Sequence, residues 1–180
     1  IDFSLSGKAK NYNFTDMAKN ILQEFKLAGY ELEIKYDESR VVHSALLQFS
    51  GILFETGLSP LKGQKIVIKV EVDSNPPPGG IETSSVYNSN FMFYMLHYDL
   101  ASLFAGKVHA LLCREYTKGR DWYDLLWYLT KFKDLEPNFV MLNNAFAQTS
   151  RKPVKLIADN WRAEIKETVK TLDWVKVRND

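Results

Sequence analysis

Cysteine is nearly missing from this chain: Cys113 is the one thiol in 180 residues. A single thiol excludes an intramolecular disulfide and fits a reducing cytoplasm, the expected location. It lies between Leu112 and Arg114 in a helical pattern, where packing is its expected role, and no sequence neighbour activates it as a nucleophile. Long apolar runs are also missing. No segment reads as a bilayer span or a signal peptide, so no membrane partner is expected. Charge of one sign is not in excess. The net charge of +1 gives no bulk field that would point to nucleic acid or membrane. There is no internal repeat and no low-complexity tract. What is present, 46% hydrophobic and 25% charged residues, describes a globular protein of one domain or two small lobes.

Strand and helix patterns alternate in the first half. Ile1 to Leu5 alternates apolar and polar residues, as a half-buried strand does, with Asp2 and Ser4 on the other side from Ile1, Phe3 and Leu5. Phe14 to Ala28 reads as a helix capped by Asn13 or Thr15 and ended by Gly29. Tyr30 to Tyr36 is a strand with one wet face. Val41 to Phe54 is extended and broken near Gly51; the lone His43 within it reads as structural. Lys65 to Asp73 is the clearest strand: Ile66, Ile68, Val70 and Val72 face one way, Val67, Lys69, Glu71 and Asp73 the other. SNPPPGG, from Ser74 to Gly80, must be a loop, since its prolines remove ladder donors. Thr83 to Tyr87 and Phe91 to His97 read as a hairpin turning at Asn88 to Asn90. The second of these strands is apolar on both faces, which predicts burial.

Helices follow. Asp99 is a plausible N-cap for a helix with Leu100, Leu103, Phe104, Val108 and Leu111 at helical spacing. Lys107 falls inside that stripe. Because burying an unpartnered ammonium is costly, Lys107 must snorkel, pair with a carboxylate or face an anion. A second helix follows Gly119. Trp122, Leu125, Leu126 and Leu129 form its apolar face, and Tyr123, Trp127 and Tyr128 predict that it is largely buried. Of its first charges, Asp121 reads as a cap and Asp124 as a complement to the helix dipole; the alternative is that one of them shares a site with Lys107. Asn138 to Gln148 is a further helix. Pro153 opens a long last one, with Val154, Ile157, Trp161, Ile165, Thr168, Leu172 and Val175 on one face.

The pattern L-x-x-L-x-A-x-K-x-x-A-L-L-x-R from Leu100 to Arg114, followed by K-G-R-D-x-Y-D-L from Lys118 to Leu125, resembles the AbiEii/AbiGii toxin family of nucleotidyltransferase-like proteins. The resemblance covers roughly residues 1–131. It implies an α+β fold: a nucleotidyltransferase-like mixed sheet with flanking helices over 1–98, then a C-terminal helical bundle over 99–180. Strands with one interposed helix followed by helices agree with that class. The family carries two metal-binding aspartates on a strand S-x-D-x-D-F-S-L. Asp2 matches the second; the first, with its serine and a Gly-rich segment, would precede Ile1, so weak or no catalysis is expected of this chain by itself. Glu71 fits the family's acidic residue on a K-x-E/D strand, as metal ligand or as base, with Asp73 as the fallback.

The implied activity is magnesium-dependent transfer of a nucleotide from a nucleoside triphosphate to an acceptor, with RNA and transfer RNA ends expected and a cognate antitoxin acting without direct contact. Lys107 would contact the triphosphate. Asp121 would be a catalytic residue or would orient Lys107, with Arg120 and Asp124 as nucleotide-binding neighbours. Two other classes stand beside this one. In a non-catalytic interaction module, Lys107, Arg114, Lys118 and Arg120 form a basic patch that binds phosphates in a strongly salt-dependent way. A degenerate nucleotide sensor would bind nucleotide and transfer nothing.

Overall fold

The structure is a computed structural model that describes residues 1–7, 11–114, 116, 118–149 and 155–179. It divides into two compact units, Ile1–Pro76 and Pro77–Asp180.

The first unit is a four-stranded mixed sheet with a helix on it. The strands β1 (Asp2–Ser4), β2 (Leu32–Asp37), β3 (Val42–Phe49) and β4 (Ile66–Asp73) lie in the order β1-β4-β3-β2. Only the β1–β4 pair is parallel. The helix α1 (Phe14–Leu27) starts where the pattern places it, with the Asn13 side chain accepting from the Asp16 N–H. The alternation along β4 decides the faces. Val70 and Val72 are buried with Leu47, Phe49, Leu32 and Phe14, and Ile66 and Ile68 pack against them. Each such side chain contributes about 2 kcal/mol by leaving water. Lys69, Glu71 and Asp73 take the other face. Residue Gly51 takes a left-handed conformation, φ +81°, and ends β3. The short helix α2 (Ile52–Glu55) follows, where an extended segment to Phe54 was expected. Likewise, β1 is exposed along its length rather than half-buried, because it pairs only along the sheet's edge.

The second unit begins with the hairpin β5 (Glu82–Asn88) and β6 (Met92–Tyr98), a two-stranded sheet of its own. Sequence analysis put this hairpin with the first domain, but here it groups with the helices. The Asp99 N–H bonds the Ile81 carbonyl, the Ile81 N–H bonds the buried Ser102 hydroxyl, and Asn138 Nδ2 reaches both that hydroxyl and the Gly79 carbonyl. The expected burial of this strand is wrong: Phe91, just before β6, and Met92, Phe93, Tyr94 and Leu96 within it are all exposed, on a sheet of only two strands among the described residues.

Five helices complete the unit: α3 (Leu100–Cys113), α4 (Gly119–Lys131), α5 (Phe139–Thr149), α6 (Trp161–Lys170) and α7 (Trp174–Asn179). Phe104 and Val108 of α3, Leu142 of α5, Leu156, and Trp161 of α6 are buried in one core. Phe104 stacks on Tyr128 at 4.7 Å and meets Trp161 edge-on at 5.5 Å. The single long last helix expected from Pro153 is corrected. Pro153 and Val154 lie outside the described residues, residues 158–160 form a turn, and the helix begins at Trp161. It stops at Lys170, and α7 restarts beyond Asp173, whose carboxylate accepts from the Val175 N–H. The helix α4 is also less buried than expected. Leu125 and Tyr128 are buried, but Tyr123, Leu126 and Trp127 face solvent. Among the described residues no helix is long and apolar enough to cross a membrane.

Candidate functional site

Asp99 starts α3 as the sequence suggests, its carboxylate accepting from the Ser102 N–H at 2.8 Å. From there 3.6 residues per turn carry Phe104, Val108, Leu111 and Leu112 into the core. Leu103, expected on that stripe, is 43% exposed, so Lys107 sits at the stripe's edge and not in its middle. Its side chain is 37% exposed. Arg114 leaves the helix in extended conformation, φ −71° and ψ 137°, and the first turns of α4 lie against α3.

Four charges meet there. The Lys107 ammonium lies 2.6 Å from Asp124 Oδ2 and 3.8 Å from Asp121 Oδ1. The second oxygen of Asp121 accepts from an Arg114 guanidinium nitrogen. Asp121 is only 3% exposed. A carboxylate this deep requires a charged, hydrogen-bonded partner, and Arg114 supplies one. The cap reading for Asp121 is thereby corrected: Lys118 occupies the N-cap position, and Asp121 is turned inward toward α3. Nearby, burial pushes the Tyr128 phenol above its usual range, and the Asp124 carboxylate adds to that. Arg120, on the exposed side of the same turn, joins no ion pair among the described residues.

The arrangement has a chemical consequence. Asp121 is neutralised by Arg114, which leaves Lys107 tied most closely to the half-exposed Asp124. An incoming phosphate can exchange for Asp124 at the ammonium, while Asp121 fixes the lysine from the buried side. The sequence alternative placed one of the two aspartates in a common site with Lys107; the structure sets both beside its ammonium. The role of Arg114 as partner of Asp121 was missed. The available signal was spacing: Arg114 follows Lys107 by two helical turns, on the same side of α3, and precedes Asp121 across a short turn.

The other candidate residues belong to the first unit. Parallel register sets Asp2 beside Glu71, and Ser4 beside Asp73, on the sheet face away from the core. Glu71 is held by Lys69 at 2.7 Å, and Asp73 accepts from the Asn75 N–H at 2.9 Å, which fixes the turn after β4. Asp2 and Glu71 are two oxygen-donor residues side by side. Magnesium commonly takes one or two carboxylates and completes its shell with water and substrate phosphates, so this pair fits as the protein's part of such a shell. Among the described residues no group of three or more His, Cys, Asp or Glu side chains stands close enough to hold a metal without such help.

A family model described as "Nucleotidyl transferase AbiEii toxin, Type IV TA system" matches residues 1–180. Comparisons with curated proteins and with solved structures return no match. The match runs the length of the chain, beyond the part in which its motifs were legible. The chain belongs to the AbiEii nucleotidyl transferase toxin family of type IV toxin–antitoxin systems.

Proposed function

We propose that this AbiEii-family chain transfers a nucleotide from a nucleoside triphosphate to an RNA acceptor, with the ends of transfer RNA as the acceptor class. The observation that carries the reading is the Lys107 ammonium, half-exposed and steered by Asp124 at 2.6 Å and by the buried Asp121 at 3.8 Å. A compact cation presented this way suits a polyphosphate. The acceptor hydroxyl attacks the α-phosphorus, the new O–P bond forms, and the bond to the bridging oxygen breaks to release pyrophosphate. Charge grows on the phosphoryl oxygens, and Lys107 is the residue that meets it. Asp121 keeps the ammonium in place. Asp124 yields to the arriving phosphate, and the exposed Arg120 adds positive charge. Asp2 and Glu71 would hold magnesium, which when bound supplies further neutralisation of the phosphates; Glu71 is also the candidate acceptor of the hydroxyl's proton. The family's second component, an antitoxin, is proposed to act without a lasting complex.

The test incubates the full-length protein with magnesium, α-labelled nucleoside triphosphates and total RNA, beside Lys107→Ala. The parent is expected to label RNA, and the variant to lose about 10²-fold or more of that rate, the scale set by deleting one charge-stabilising donor. Chelating the magnesium is expected to stop the labelling. A well-folded parent that labels nothing with any nucleotide would overturn the reading, and nucleotide binding without transfer would make the chain a sensor.

A further inference from the structure

A cavity of about 210 Å³ lies on the Arg114 side of Asp121, away from Lys107. It is walled by the end of α3, the start of α4 and the last turn of α6, with Arg114, Tyr116, Lys118, Asp121, Thr168 and Thr171 around it. The two threonines offer no free proton, since Thr168 donates to the Glu164 carbonyl and Thr171 to the Thr168 carbonyl. Besides the Tyr116 phenol and the Trp122 indole N–H, the cavity's donors are its two cations, Arg114 and Lys118. Arg114 spends one nitrogen on Asp121, and a guanidinium has five N–H donors in all. Lys118 is half-buried and has no carboxylate partner among the described residues; its ammonium stands 5.4 Å from the Tyr116 ring centroid. A ring face attracts an ammonium weakly, and a phosphate oxygen, which accepts a charge-assisted hydrogen bond, holds it better.

Among the described residues Lys107, Arg114, Asp121 and Asp124 cancel, and Lys118 stands beside the cavity without a carboxylate. The group that complements it there is an anion. The volume is below the roughly 300–1,000 Å³ of pockets that enclose whole small molecules, so the cavity suits one phosphate group and not a nucleotide. Arg114 lies two helical turns from Lys107, about 10 Å along α3. We infer that this cavity seats a backbone phosphate of the RNA acceptor, one step back from the end that reacts near Lys107. This rests on the nucleotidyl-transfer reading above and adds an acceptor subsite to it, centred on Lys118.

The experiment measures RNA affinity without nucleotide, nucleotide affinity without RNA, and labelling rate, for the parent, Lys118→Ala, Lys118→Arg and Thr171→Lys. Lys118→Ala is expected to weaken RNA binding 5- to 10-fold, raise the KM for RNA and leave nucleotide affinity in place. The slope of log K against log salt should fall in magnitude by about 0.7, the loss of one contact to a single strand. Lys118→Arg should restore most of the affinity. Thr171→Lys, on the exposed rim, should steepen the slope. Unchanged RNA affinity in Lys118→Ala, in a parent that labels RNA, would overturn the subsite alone. Weakened nucleotide affinity would assign the cavity to the triphosphate and overturn it as well. A parent that neither binds RNA nor labels it would defeat the underlying reading together with the subsite.

Discussion

Asp121 and Arg114 show how one buried charge organises its surroundings. Removing a partner from a buried ion pair costs more than the pair contributes, because the remaining charge has neither water nor counter-ion. Arg114→Ala leaves Asp121 with Lys107, at 3.8 Å, as its only cation among the described residues. Because the Arg114 side chain is 35% exposed, water can partly fill its place, and the expected loss is about 1–3 kcal/mol in urea unfolding. Arg114→Lys should recover part of it, lacking the planar fork. An Arg114→Ala protein as stable as the parent would mean that Asp121 does not depend on the guanidinium. His109, on another side of α3, gives a pH-dependent test. Burial holds its imidazole below its ordinary value near 6.5; a hydrogen bond to the Ala145 carbonyl opposes the shift and the Arg114 charge adds to it. A group with a lowered folded value takes its proton first in the unfolded chain as pH falls. Stability therefore declines from pH 6.5 down toward the folded value, and above 6.5 this group adds no slope. His109→Gln should flatten the fall in urea midpoint between pH 7 and 5. An equally steep fall in the variant would place the titration elsewhere.

The elements differ in how much of them local sequence determines. Asp99 caps α3 through the Ser102 N–H, so Asp99→Ala should cost about 1 kcal/mol and Asp99→Ser should restore most of it, as read by thermal unfolding. Such local features were legible. The alternation of KIVIKVEVD gave β4 and its two faces, and Asn13 and Gly29 bounded α1. Features set by tertiary surroundings were not. The residues FMFYMLHY are apolar on both sides, and composition cannot tell a central strand from one arm of a two-stranded ribbon, where Phe91 and Tyr94 stay exposed. The stripe from Ile157 to Val175 keeps helical spacing across a break, because spacing does not register the turns at 158–160 and before α7. The candidate site divides in the same way. Lys107 was conspicuous as a charge in an apolar stripe. Asp121 imitated a cap, and its true partner is across a turn, where no helical periodicity reaches.

At the scale of the molecule, the near-neutral charge makes a prediction that a strongly basic protein would not. A net charge of +1 cannot attract RNA through a broad field, so affinity must come from a few placed cations. On the proposed function those are Lys107 toward the triphosphate, and Lys118 and Arg120 toward phosphates; Arg114 is largely neutralised by Asp121. Two RNA phosphate contacts, at Lys118 and Arg120, at about 0.7 each give a slope of about −1.4 for log K against log salt on single-stranded RNA. Proteins that bind nucleic acid through an extended basic surface give far steeper slopes, because each neutralised phosphate releases its counter-ion. Filter binding from 50 to 300 mM salt, with parent, Lys118→Ala and Arg120→Ala, measures this directly. A parent slope of about −1.4, reduced in each variant, would show that a handful of side chains at the start of α4 holds the acceptor. A parent slope beyond −5 would mean that RNA lies on a surface larger than α3, α4 and the cavity beside them, and the acceptor site would then have to be sought elsewhere on the chain.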